Sequence, residues 1–266
     1  SGRRRCASLK CGRPVPPAQA RRFSRVVSRL TNAGAWWEPD ATDGPETFVA
    51  VHGCGRLGLA LGAALAETRL RVSIHDDAPT AVEETGLYGD PEDAPDGETP
   101  PGTCAGAAAL TLGERGLRVR VGGTGANLAV VTCVGSADPW LVSELMRADT
   151  PHVIVACTER DVWVSHVMVP GVTACSRCRE LSRSRQDAEW PLVALQLAGP
   201  GQRGRRPQTT DAARPVVAGL VCATIGRWVS SAEPGIGLLV REDGSFVEAG
   251  LDAEPGCGCG AAAAVP

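Results

Sequence analysis

The chain has 266 residues, 43% of them apolar and 21% charged, enough to bury a sizeable core and too apolar to stay disordered. A formal net charge of −3 sets aside a dedicated nucleic-acid binder. The longest apolar stretch, about residues 215–225, is too short to span a bilayer, and Arg3-Arg4-Arg5 has no apolar segment behind it. No membrane span and no signal peptide are expected, and the reading is a cytoplasmic protein. The 11 cysteines agree, because an odd number scattered without an export signal argues against a disulfide framework.

Residues 1–46 predict a short N-terminal helical arm. Phe23, Val26, Val27 and Leu30 recur at i, i+3, i+4 and i+7, Gly34 supplies a stop, and Trp36-Trp37 follow. From Phe48 onward strands and helices alternate. Residues 48–52 read as a buried strand, 53–58 as a glycine turn, 57–67 as a helix and 70–74 as a second strand. Further strands are predicted at 117–121, 128–134, 152–157 and 162–169, with a helix at 139–147 between the second and third of these. An apolar helix at 212–229 and a hairpin of 237–241 with 245–248 complete the order. The βαβ order with a tight turn predicts an α/β fold, a Rossmann-like, mostly parallel sheet with helices on both faces, over residues 47–266.

Charge divides the chain. No Lys or Arg falls between Val72 and Glu114, where Asp76, Asp77, Glu83, Glu84 and further acids cluster with prolines into a solvated acidic loop. After Cys178 the sign reverses, with Arg179, Arg183 and Arg185, and a second loop at 199–210 carries Arg203, Arg205 and Arg206.

Gly53-Cys54-Gly55-Arg56-Leu57-Gly58 is a G-x-G-x-x-G between a strand and a helix. The first glycine permits the turn, the second lets backbone N–H groups approach a phosphate, and the third allows close helix packing. Asp76 and Asp77 end the second strand about 20 residues later, where an acid can hold ribose hydroxyls. The same pattern also serves a turn kept for packing alone, and both readings stand. Cys175-Ser176-Arg177-Cys178 is a C-x-x-C knuckle, and Cys257-Gly258-Cys259 adds two thiols that flanking glycines allow to fold together. Four thiolates with no open position describe a closed structural zinc site stapling the C-terminal part, with a redox dithiol or unliganded thiols as alternatives. The histidines make no site. His52 and His75 sit at strand ends, His152 opens a strand and His166 lies within one, each read as a hydrogen-bonded structural residue.

Strand, G-x-G-x-x-G, acid-tipped second strand, late C-x-x-C and terminal Cys pair together resemble the ThiF/MoeB adenylyltransferase family, relatives of ubiquitin-activating enzymes. Pro151-His152-Val153, the run from Val167 to Cys178 and Asp187-Ala188-Glu189-Trp190-Pro191 through Gln196-Leu197 are similar to the ThiF-like cyclodehydratase-domain proteins. Those act in biosynthesis of thiazole/oxazole-modified peptides. The resemblance implies an ATP–Mg²⁺ site over Gly53, Gly55 and Gly58 with ribose on Asp76 or Asp77, and Arg56 in the glycine turn is the candidate to replace part of the family's phosphate clamp. It also implies structural Zn²⁺ on Cys175, Cys178, Cys257 and Cys259, and a homodimer. The arm resembles a shortened leader-peptide-binding winged helix. Active members place an Arg and a Lys after the second strand to grip the triphosphate; this chain has neither before Arg115. Asp138 is the candidate for the Mg²⁺-binding acid after the fourth strand. The reading is therefore a precursor-peptide-binding partner of a YcaO-type cyclodehydratase with reduced or no adenylation. The alternative is an active adenylyltransferase acting on a peptide or carrier-protein C-terminus. A nicotinamide oxidoreductase lacks a hydride-transfer acid/base constellation.

Overall fold

A computed structural model of the chain describes residues 47–68, 70–78, 103–198 and 207–261. The N-terminal arm, with Phe23 and Trp36-Trp37, lies outside the described residues, as do most of the acidic loop and residues 199–206. Fourteen elements follow in order: β1 (Phe48–His52), α1 (Gly55–Glu67), β2 (Arg71–His75), α2 (Cys104–Glu114), β3 (Val119–Val121), β4 (Leu128–Val134) and α3 (Pro139–Arg147). Then come β5 (His152–Cys157), β6 (Val162–Val164), α4 (Ser176–Gln186), α5 (Trp190–Ala198), α6 (Ala213–Ser231), β7 (Leu238–Val240) and β8 (Phe246–Glu248).

All eight strands form one sheet in the order β3-β2-β1-β4-β5-β6-β7-β8. The first five are parallel and the last three antiparallel. Chain order reverses between β1 and β4, which opens a crevice beyond their C-terminal ends, the place where open α/β sheets hold ligands. The central strands are buried on both faces, which is why they read as near-continuous Val and Ala runs. Val49, Val51, Val130, Val153 and Val155 face α1 and α6, meeting Leu57, Leu61, Leu65, Val217, Val221 and Ile225. On the other face Ala50, Ala129, Val131 and Ile154 pack with Val142 and Leu145 of α3.

The predicted strand at 162–169 is shorter in the fold, and the cause is local. Ser165 still pairs with Ile154, and Met168 exchanges both backbone hydrogen bonds with His152. His166 and Val167 thus stand opposite Val153 alone, a bulge that turns the His166 side chain toward the Ala174 carbonyl, 2.9 Å from its Nε2. Helices α2, α4 and α5 stand where the sequence pattern gives no helix. α2 is built from small residues and capped by the Thr103 hydroxyl, which accepts from the Gly106 N–H at 3.3 Å. Helix α6 hides Ala213, Val217, Ala218, Val221 and Ile225 within its own chain, against α1 and the sheet. No helix among the described residues is long and apolar enough to cross a membrane.

Candidate nucleotide crevice and cysteine cluster

The glycine turn is built as its spacing predicts. Gly53 and Gly55 have φ of 96° and 81°, conformations that side-chain-bearing residues rarely adopt. A Cβ on Gly53 would run into the Thr132 hydroxyl on β4, and one on Gly58 into the backbone carbonyl of Gly53. The turn and the first helical turn are therefore in backbone contact. Arg56 is exposed in that first turn of α1, which has no acidic residue and no side-chain cap. A cation there opposes the helix dipole, and an anion bound at the turn would relieve it.

Asp76 and Asp77 have different roles. Asp76 lies against the turn: its Oδ2 accepts from the Cys54 N–H at 2.8 Å and its Oδ1 from the Ala78 N–H at 3.1 Å. It holds the glycine loop in shape from the adjacent strand end. Asp77 is exposed. Asp138 accepts from the Trp140 N–H at 2.9 Å and caps α3. Of the three acids that the resemblance ties to nucleotide and Mg²⁺, Asp76 and Asp138 thus bind backbone amides, and Asp77 is exposed.

Two histidines end β1 and β2. The His52 and His75 rings stack with centroids 4.7 Å apart, and His75 Nε2 lies 2.9 Å from Ser73 Oγ. Burial, reinforced by the neighbouring His75, pushes His52 down to about 4. Burial also lowers His75, against the pull of Asp77, and lowers His152 and His166 against their carbonyl partners. The sign follows: these histidines fold neutral, so the unfolded chain binds more protons below about pH 6.5, where an unperturbed histidine titrates. The histidine contribution to stability is expected to be flat above about pH 7 and to fall from pH 6.5 towards 4, with His52 alone contributing a loss of about 3 kcal/mol by pH 4. Urea unfolding at pH 7.5, 6 and 5 measures this, and His52→Gln should flatten the profile.

The four clustered cysteines converge. Their sulfurs all lie within 4.8 Å of one another: Cys175 Sγ is 3.4 Å from Cys257 Sγ and 3.9 Å from Cys178 Sγ, and Cys178 Sγ is 3.7 Å from Cys259 Sγ. An ion about 2.3 Å from each sulfur, the zinc–thiolate distance, sets tetrahedral sulfurs about 3.8 Å apart. The donor set and spacing fit such an ion. Positive φ at Gly258 (72°) and Gly260 (82°) curls the Cys-x-Cys segment back. The Glu254 N–H reaches Cys178 Sγ at 3.4 Å, the kind of amide support a thiolate receives around a metal. Cys175, Cys178 and Cys257 are buried, and Ala174, Leu181, Leu251 and Met146 pack around them. Burial pushes the Cys175 thiol up, so a metal would have to displace protons to bind.

A third group was not legible in the sequence. Arg179, on α4, is buried and donates from Nη1 to the Gly135 carbonyl at 2.9 Å, locking α4 onto the loop after β4, while its guanidinium stacks on Trp163 at 4.5 Å. Arg183, one turn on, stacks on Trp190 at 3.9 Å. The run of arginines was the available signal, but nothing in it distinguished buried cations from a solvated face.

No protein-family model matches the chain, and no curated protein matches it. Solved structures do. E. coli MccB is similar at 15% identity and TM-score 0.57, covering 96% of this chain and 83% of that one. The complex described as the microcin C7 biosynthetic enzyme MccB with N-formylated MccA is similar at 16% identity and TM-score 0.52, over 80% of this chain and 67% of that one. E. coli MccB with ATP is similar at 14% identity and TM-score 0.56, over 92% and 82%. Identities this low establish a shared fold, an α/β sheet flanked by helices, and no more than that.

Proposed function

We propose that the chain is a ThiF-like, precursor-peptide-binding protein of ribosomal peptide natural-product biosynthesis. In this reading it presents a leader peptide to a YcaO-type cyclodehydratase and has reduced or no adenylation activity of its own. The fold shared with MccB, a protein solved with MccA and with ATP, supports a place in peptide modification. The observation that carries the reduced activity is that two of the three expected acids are backbone clamps, Asp76 on Cys54 and Ala78 and Asp138 on Trp140, which leaves the exposed Asp77 for a nucleotide. With no Lys or Arg between Val72 and Glu114, the acids of that stretch repel a triphosphate that has no clamp there. Peptide binding has no such requirement, since a sheet edge or groove holds a leader through backbone hydrogen bonds and apolar anchors.

A zinc ion on Cys175, Cys178, Cys257 and Cys259 completes this reading. With four thiolates and no open position it supplies a crosslink between the start of α4 and the C-terminal segment rather than chemistry. A homodimer is part of the proposal. A second reading, an active adenylyltransferase acting on a peptide or carrier-protein C-terminus, is favoured by the phosphate-ready shape of the glycine turn.

Isothermal titration with ATP–Mg²⁺ tests the nucleotide half of the proposal. Binding weaker than about 1 mM, or none, is expected, since the missing cations forfeit several kcal/mol of charge-assisted hydrogen bonding. Micromolar binding would turn the reading towards the adenylyltransferase.

A further inference from the structure

Helices α4 and α5 bring Arg179, Glu180, Arg183 and Trp190 into one cluster that the account above leaves without a purpose. Glu180 is fully engaged at both oxygens: Oε1 accepts from Arg179 Nη1 at 3.3 Å and Oε2 from Trp190 Nε1 at 2.5 Å. Arg183 is treated differently. Its guanidinium carbon sits 3.9 Å from the centre of the Trp190 ring, and its Nη1 is buried with no acceptor among the described residues. Burial and the like charge of Arg179 lower its pKa, so its surroundings do not fully compensate the cation. Two guanidinium groups face one carboxylate. The nearby Arg185 turns away to Glu254 at 2.6 Å.

The cluster stands beside the crevice. Arg179 holds the Gly135 carbonyl, and the α5 residue Leu197 packs directly on Gly135. Gly135 begins the loop after β4, one of the two strands between which the sheet order reverses. α4 and α5 are therefore anchored at the C-terminal end of β4, on one side of the point where the sheet order reverses. A guanidinium pinned on an indole is planar and already ordered, so it can present two parallel N–H donors to an oxyanion at little entropic cost.

We propose that Arg183, stacked on Trp190 and flanked by Arg179 and Glu180, is an oxyanion-binding residue at the β4 side of the crevice, taking a carboxylate or a phosphate group. The inference rests on the placement of the ligand at this crevice. It supplies from α4 a cation that the segment after β2 lacks. A peptide C-terminal carboxylate and a nucleotide phosphate share the required chemistry.

The test uses the full chain, with Trp fluorescence and isothermal titration as readouts. The probes are inorganic phosphate, ATP–Mg²⁺, and a synthetic tripeptide as its free acid and as its C-terminal amide. Wild type is expected to bind inorganic phosphate or the free acid, quenching the stacked Trp190. Arg183→Gln should weaken that binding by about tenfold or more, the scale of a lost charge-assisted pair, while Arg183→Lys falls between. Loss confined to phosphate and ATP identifies a phosphate site. A free-acid preference over the amide that disappears in Arg183→Gln identifies a carboxylate site. Circular dichroism and thermal melting of both variants separate loss of binding from loss of fold. Absence of binding of every probe by wild type, or equal binding by a folded Arg183→Gln, overturns the inference. Either result leaves the peptide-partner reading to its own test, which depends on adenylation and not on Arg183.

Discussion

Replacing Cys178 by Ser is expected to release about one zinc ion per chain and to lower the melting temperature by about 10 °C or more. Cys178 Sγ is fully buried, lies 3.7 Å from Cys259 Sγ and receives the Glu254 N–H, so it joins both halves of the cluster. The C-terminal segment has little else to hold it. Residues 251–261 form no regular element, and among them Leu251, Ala253, Cys257 and Cys259 pack on the small core around Ala174 and Cys178. Structural zinc contributes its binding free energy directly to folding, and a loss of about 4 kcal/mol in a domain this size corresponds to a shift of roughly 10 °C. Metal analysis of purified protein, followed by melting with and without a chelator, checks the claim. Metal-free protein whose melting a chelator and Cys178→Ser both leave unchanged would show that the thiols bind nothing.

Gly58→Ala should cost about 2 kcal/mol or more, although helix propensity alone favours alanine by about 1 kcal/mol. The two effects oppose each other, and geometry decides. A Cβ on Gly58 meets the carbonyl of Gly53, a backbone atom fixed by the Gly53 N–H to His75 carbonyl hydrogen bond at 2.9 Å and by Asp76 on the next amide. That atom cannot swing aside as a side chain would. Gly219→Ala on α6 is the control, since its Cβ meets nothing within 4 Å and it should stabilise by about 0.5–1 kcal/mol. Chemical denaturation of both variants reads the difference. A neutral Gly58→Ala would mean that the turn and α1 are further apart than the fold requires.

The parts of the fold legible in the sequence were those whose pattern reports burial on its own. Phe48–His52, Leu128–Val134 and His152–Cys157 are covered on both faces, so an unbroken apolar run could only be an interior strand. Helix α4 was invisible because its Ser- and Arg-rich sequence has no apolar stripe. It is held instead by Cys178, by Arg179 on Gly135 and by Trp190 on Glu180, all tertiary contacts. Helix α5 is apolar but leaves Leu192 and Leu195 exposed, so its pattern says nothing about a core. The glycine turn and the cysteine spacing were readable because only glycine accepts the φ values at 53, 55 and 258, and four thiols at short spacing have few other uses. The role of Asp76 was half readable. Its position at a strand tip pointed to ribose, and the backbone amides of Cys54 and Ala78 that it holds depend on how two separate segments meet.

Pyrophosphate exchange separates a peptide-binding partner protein from an active adenylyltransferase. Full-length protein, ATP–Mg²⁺, radiolabelled pyrophosphate and a panel of candidate precursor peptides are combined, with peptide binding measured in parallel by fluorescence anisotropy. A leader peptide is expected to bind while exchange stays at the peptide-free background. Peptide-dependent exchange well above that background, lost in Asp76→Ala, would contradict it and make the chain an active adenylyltransferase.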